Sequence, residues 1–450
     1  TKADWLRQAT ADLKGKGEAQ GLGSKLWDTL PLQPLYDLED LGHPVKQRRF
    51  HAPSEFPGMP PRNWSNVVTV LPSDTNAEVL AALENGAEGL VLPLQGTEEL
   101  QELLQGVLPQ YISIYLLPLG NPLSSFQLFQ DWVESTGVDG AALHGGMLWS
   151  PTDQVFDQQQ DLGLGVELLE ELLELTEGYP NFKAFCIKTS RYSESGAHPV
   201  DALTFGLGEL VEILDRVSCA PRTVFEKLFL ETAVGEHQFG EVGRQLAFRQ
   251  LAQNLALLYQ VELEEQELLL FCQTAHWSQS ILDAHTNPIR QTYQALSAVL
   301  GGANVLWVKP LEEENASTQE RRIARNVSAI LKEEAYLDKV QDPAAGSYFL
   351  ENLVADLVKE TQASLTLLEQ KGGWWKACQT GALQDRVKTH RAKMQRELLD
   401  KTRLKVGANA YTAPASLTYN SPFTPFVEAA HELKPTRATY LVESLTLDAQ

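Results

Sequence analysis

The chain has 450 residues, 43% of them hydrophobic and 21% charged, enough to bury a sizeable core and too apolar for a disordered chain. Its 59 acidic against 37 basic side chains leave a formal charge of −22, a surface that repels phosphate backbones and excludes nucleic acid as an expected partner. No apolar run approaches the ~20 residues that span a bilayer, so no membrane contact is expected.

The opening stretch, TKADWLRQATADLKGKG, has no apolar centre; no secretory leader is expected, and the chain reads as cytoplasmic. Residues 1–60 form an extended arm rich in turns, with LPLQPLYDLEDLGHP and FPGMPP. Such segments cannot build a core alone and must lie on something. From residue 61 a rhythm begins. Short runs that are apolar on both parities recur: NVVTVLP (66–72), EGLVLPL (88–94), ISIYLLPL (112–119) and DGAALHGG (139–146), then KAFCIKTS (183–190), KLFLET (227–232), ELLLFCQTAH (267–276) and NVLWVKP (304–310). These are the marks of parallel strands covered on both faces.

Amphipathic helices fill the gaps. SDTNAEVLAAL places Ser and Asp before a first apolar turn, where they would cap free amides. Val200, Leu203, Leu207, Leu210 and Leu214 make one buried stripe, and Ile289, Tyr293, Leu296 and Leu300 another. Glu167, Glu170, Glu171 and Glu174 mark a solvated face. Eight strand–helix units over roughly 270 residues predict a (β/α)₈ TIM barrel at 61–335. A doubly wound open sheet is the rival, because a strand count does not show closure. Residues 336–450 read as two or three closing helices and an extended tail containing YTAPASLTYNSPFTPF. The four cysteines, Cys186, Cys219, Cys272 and Cys378, are far apart and contain no Cys-x-x-Cys pair, so free thiols are expected.

Chemistry in such a barrel belongs at the carboxyl ends of the strands. Four expected ends meet prolines: Pro72, Pro93, Pro118 and Pro310. The others offer His144, Lys188, Glu231 and His276, with Lys309 beside its proline. His144 could be a general base or a ring fixed at a tight Gly-Gly turn; His276 could be a base or a packed loop residue. Lys188 and Glu231 could pair across the mouth. Arg290, near the start of its helix, opposes the dipole there, so a carboxylate or phosphate partner or a salt bridge is expected. No dinucleotide or phosphate loop, nucleophile elbow or His-Glu-x-x-His is present.

Several stretches together resemble the methylmalonyl-CoA mutase family. These are PLYDLEDL and FPGMPPRNW in the arm, SRYSESGAHPVDAL (190–203), FGEVGRQLAFRQL (239–251), NPIRQTYQALSAVLGG (287–302), RRIARNVSAILKEE (321–334) and VQDPAAGSYFLE (340–351). The resemblance implies an adenosylcobalamin enzyme whose catalytic members thread coenzyme A along the barrel axis. It also implies a separate cobalamin domain marked by Asp-x-His-x-x-Gly. The sole Asp-x-His of this chain, Asp283-Ala284-His285, lacks the glycine, and no such domain is expected. The family's catalytic Tyr and His fall near Met59 and Ser193, so no catalytic residue is expected. Within the cores of the eight runs Thr69 and Ser113 are the small polar residues, beside Ile114, Phe185, Phe229, Phe271 and Trp307. Some of these must point outward, yet the balance predicts a filled axis.

The resemblance therefore implies the small (β) subunit of a heterodimeric mutase, structural rather than catalytic, with the arm wrapped on a large (α) catalytic subunit that binds adenosylcobalamin. Its alternative is a catalytic acyl-CoA mutase barrel served by a separate cobalamin-binding chain. An unrelated barrel enzyme using His144 and Glu231 is a third.

Overall fold

The computed structural model describes residues 1–15, 19–42, 44–45, 47–53, 58–412 and 423–447. Phe56 and Pro57 of the FPGMPP turn and most of the YTAPASLTYNSPFTPF tail lie outside them. A two-stranded antiparallel hairpin, β1 (Ser24–Leu26) and β2 (Leu30–Leu32), belongs to the arm. The main sheet follows: β3 (Ser65–Thr69), β4 (Gly89–Leu94), β5 (Ser113–Pro118), β6 (His144–Met147), β7 (Phe182–Lys183), β8 (Phe185–Lys188), β9 (Leu228–Val234), β10 (Leu270–Thr274) and β11 (Val305–Trp307). All its neighbours are parallel, and β3 pairs with both β4 and β11.

The sheet closes at one strand. β7 and β8 are two halves of a single extended segment interrupted at Ala184. The first half pairs with β6 and the second with β9. Cys186 N–H also donates to Trp149 O at 2.8 Å, carrying the seam past the end of β6. The open-sheet rival is thereby ruled out, and the eight runs are eight staves of a TIM-type barrel.

Three expectations shift. The fourth run is a strand only from His144, because Asp139 caps a one-turn helix at Gly140–Ala142 that takes up its first half. The strand then runs on through Gly145, whose φ of +148° and whose absent Cβ (1.7 Å from Ile114 O if built) admit glycine alone. The helix Asn76–Glu84 is capped by Thr75 and Glu78, while Asp74 instead accepts from Leu71 N–H and pairs with Arg321. In helix Asn287–Leu300, Ile289 is 66% exposed; the buried face is Arg290, Gln291, Gln294, Ala295 and Ala298, small and polar residues that let the helix approach β10 closely. The stripe of helix Pro199–Leu214 is buried as expected, and Glu167, Glu171 and Glu174 are exposed.

Strand parity divides the apolar residues into two layers. Leu90, Ile114, Leu116, Phe185, Ile187 and Leu230 face the helices. Val67, Val91, Tyr115, Leu148, Cys186, Phe229, Phe271, Val305 and Trp307 face the axis. Ile114 and Phe185 thus leave the expected interior, and Tyr115 enters it. All four cysteines are free.

The arm lies against the chain's own barrel. Arg48 holds Glu351 at 2.7 Å, and Phe50, 1% exposed, packs on Gly302. Helices Tyr348–Gln370, Gly373–Gln379 and Ala382–Leu399 flank the barrel. The last described segment, 423–447, then crosses its carboxyl end. Thr436 N–H donates to Glu194 O and Ala438 N–H to Trp277 O, both at 2.9 Å. Arg437 pairs with the fully buried Glu443 at 2.8 Å. Among the described residues no helix is long and apolar enough to cross a membrane.

Candidate functional site

The axis is closed by rings. Tyr115 meets Phe271 edge-on at 4.9 Å and Phe229 at 5.8 Å; Phe229 and Phe271 are 6.0 Å apart, and Phe271 meets Trp307 at 6.0 Å. None of the four is more than 6% exposed. Gly146 of β6 makes room for this cluster, since a Cβ there would stand 2.9 Å from the Phe229 ring. Such edge-to-face packing adds to the burial of large apolar surface. Nothing the width of an extended chain passes between these rings.

Above them the strand ends and the loops that follow enclose a polar pocket of about 320 Å3, lined by Ser190, Glu194, Gln273, His276, Lys309 and Glu313 among others. Glu231, on β9, accepts from Ser190 and, at 2.7 Å, from Gln273 Nε2. Burial pushes its carboxyl up, against the pull of Ser190, Lys188 and Lys309. Glu194 accepts the backbone N–H groups of His276 (2.9 Å) and Trp277 (2.8 Å), and burial raises it too. Trp307 Nε1 donates to Thr69 at 3.0 Å, and Thr69 donates to Glu313, another carboxyl raised by burial.

Lys188 does not pair with Glu231, although the two are register neighbours. Its ammonium is 2.6 Å from Asp153, which also binds Arg191, and Arg191 reaches Asp157 at 2.8 Å. Lys309 is the cation left over. Its ammonium stands 4.6 Å from the Trp307 ring centre and makes no hydrogen bond or ion pair among the described residues. His276 Nε2 lies 3.3 Å from Arg437 Nη1. Burial, then Arg437 and Lys309, hold this imidazole down at about 3, too weak a base to take a proton near neutral pH.

Lys188, Glu231 and His276 are therefore gathered at the mouth, and two other candidates are not. His144 is exposed at the first residue of β6, the opposite end of the barrel, level with Ser113. Arg290 forms no ion pair among the described residues; it donates to Thr286 (3.0 Å), Asn287 (2.7 Å) and the Val406 carbonyl, tying its helix to the C-terminal segment. Met59 is exposed in the arm. Ser193 donates to Thr189 O at 3.2 Å and lines a separate cavity of about 80 Å3 beside Trp27. Asp153, Arg191, Glu194, Glu313 and Arg437 were not among the sequence candidates. Asp153 and Glu313 lie in segments just beyond strand ends, so a search extended past those ends would have met them.

Known relatives decide what this barrel descends from. The methylmalonyl-CoA mutase family model matches residues 68–432. The chain belongs to the methylmalonyl-CoA mutase family. It is 24% identical over 434 residues to a protein named methylmalonyl-CoA mutase small subunit from Porphyromonas gingivalis, covering 90% of this chain and 69% of that one. It is 27% identical over 413 residues to a namesake from Streptomyces virginiae, covering 87% and 66%. To a methylmalonyl-CoA mutase from Cereibacter sphaeroides it is 26% identical over 457 residues, covering 90% and 64%. The chain thus spans about two thirds of the length of these relatives.

A cobalamin would need a histidine ligand presented to an open, corrin-sized space. His285 is exposed on a one-turn helix, Ala284–Thr286, with Asp283 largely buried beside it. The mouth pocket lies under Pro435 and is far too small for a corrin ring. The described residues do not fit that group. Nor do they gather three or more His, Cys, Asp or Glu side chains about a point where a metal ion could sit.

Proposed function

We propose that this chain is the small (β) subunit of an adenosylcobalamin-dependent methylmalonyl-CoA mutase, a cytoplasmic heterodimer that interconverts methylmalonyl-CoA and succinyl-CoA. A large (α) subunit supplies catalysis and holds the cobalamin; this chain supports it structurally. The observation that carries the reading is the ring cluster of Tyr115, Phe229, Phe271 and Trp307 across the axis. Catalytic members, as the resemblance implies, need that axis for the pantetheine of coenzyme A. The printed name shared by two relatives, small subunit, supports the same reading.

The mouth chemistry is consistent with a supporting role. Each of the three carboxyls there accepts from donors of the chain itself, and His276 is held neutral by burial and then by Arg437 and Lys309. In this reading the arm's exposed outer surface serves the partner while its inner surface stays on the barrel. An obligate interface of this kind buries more than ~2,000 Å². Gel filtration of the chain mixed with a catalytic large subunit at micromolar concentration is expected to give one co-eluting species; separate elution contradicts the reading.

The pocket with its unpaired Lys309 favours a second reading, a working acyl-CoA barrel served by a separate cobalamin-binding chain. That reading requires the four rings to move aside, and the two are told apart by acyl-CoA binding.

A further inference from the structure

The hairpin of the arm is fastened to the barrel through a socket of imidazoles. Trp27, at its turn, meets His198 edge-on at 6.4 Å and His237 at 6.1 Å. His198 Nε2 lies 3.1 Å from the Trp27 carbonyl and 3.0 Å from Thr29 Oγ1. Its Nδ1 accepts the N–H of Val200 at 3.3 Å and so caps helix Pro199–Leu214. Those contacts assign the tautomer: one proton, on Nε2, directed at the hairpin carbonyl. His390, on helix Ala382–Leu399, stands edge-on to His198 at 5.3 Å and donates from Nδ1 to Gly196 O at 2.8 Å.

We propose that docking of this hairpin is proton-gated: uptake of a proton by His198 and His390 shifts residues 24–32 toward an open state. A proton on His198 Nδ1 replaces the acceptor facing Val200 N–H with a donor, and the cap is lost. Two charged rings then face each other at 5.3 Å. Among the described residues, the carboxylates around the socket are all held by cations. Asp28 of the hairpin is held by Lys393 and Arg403, and Asp201 of the capped helix by Arg386. Glu236, beside His237, is held by Lys405, and Glu241 by Arg244. The indole face of Trp27 welcomes a cationic ring and opposes release, but it offsets neither the cap nor the paired repulsion. Leu26 and Leu30, both buried, keep the hairpin seated between openings, so the gate acts on the opening equilibrium.

The sign follows from linkage. Burial first, and for His198 then His390, hold both rings below the ordinary 6.5 while the hairpin is docked. Docking is therefore at full strength above that range and weakens as the pH falls through it.

Hydrogen exchange of the whole chain at pH 7.5 and 5.0, corrected for intrinsic rates, reads the opening directly. Amides of residues 24–32 are expected to lose protection at least tenfold at pH 5.0 while those of β9 and β10 hold theirs. In the His198→Asn/His390→Gln double variant, where Asn keeps a cap acceptor, the loss should vanish. His390→Gln alone, which leaves the cap untouched, should shrink the loss, and His144→Gln should leave it unchanged. Full protection in the wild type at pH 5.0, or an undiminished loss in the His198 and His390 variants, overturns the proposal.

Discussion

Phe271 touches both Tyr115 and Trp307, so the closed axis depends on it more than on any other ring. Replacing it by alanine leaves a cavity among side chains that cannot all collapse, at a cost of about 3–5 kcal/mol. Phe271→Ala is expected to lower the unfolding free energy from a urea titration by that amount; a change below about 1 kcal/mol would mean that the rings are loosely packed. A second residue sets a pH dependence. Glu209 is fully buried, accepts from Tyr192, and is pushed up to about 8 by burial, with Tyr192 and Arg191 pulling it back. Its neutral form belongs to the folded state, so its contribution is full below its ordinary value of 4.5 and is lost as the pH rises through 8. Glu209→Gln cannot ionise. Its melting temperature relative to wild type should climb steadily from pH 5 to pH 8, and parallel curves would contradict this assignment.

The C-terminal segment acts as a strap across the mouth. Glu443 accepts from Ser280, Ile281 N–H, Thr439 and Arg437 with no exposure of its own. Removing Arg437 leaves that carboxylate buried without its cation, which costs about 3–5 kcal/mol in comparable sites. The same change removes a positive neighbour of His276. Arg437→Gln is therefore expected to raise the His276 pKa above its present value of about 3, read by NMR titration of the ring; an unmoved titration would place Arg437 away from that imidazole.

Strands and helices were legible to different depths. All eight runs are strands because apolar residues on both parities suit a sheet covered on both faces. That same property hides which parity faces inward, and Tyr115 rather than Ile114 stands on the axis. The fourth run slipped because Asp139 looked like the edge of a strand and is the cap of a turn. Helix Asn287–Leu300 buries Gln294, Ala295, Ala298 and Val299 and leaves Ile289 exposed, a face displaced from the stripe of its larger apolar residues. At the mouth, Lys188, Glu231 and His276 could be read from strand ends. Their pairings with Asp153, Ser190 and Arg437 could not, because each joins residues distant in the chain.

At the scale of the molecule, the barrel keeps the eight-stranded frame of its family while its interior has become a solid core. In the proposed reading, a frame of that kind offers a broad surface to a partner. Its net charge of −22 keeps it soluble and slows encounters with a like-charged partner at low salt, so pairing with an acidic large subunit should quicken as salt is added. The central claim is that no thioester can enter this barrel. Isothermal titration of the purified chain with methylmalonyl-CoA, and with coenzyme A, tests it most directly. No saturable heat is expected up to millimolar ligand, whereas stoichiometric binding in the micromolar range would show an open axis and contradict the account.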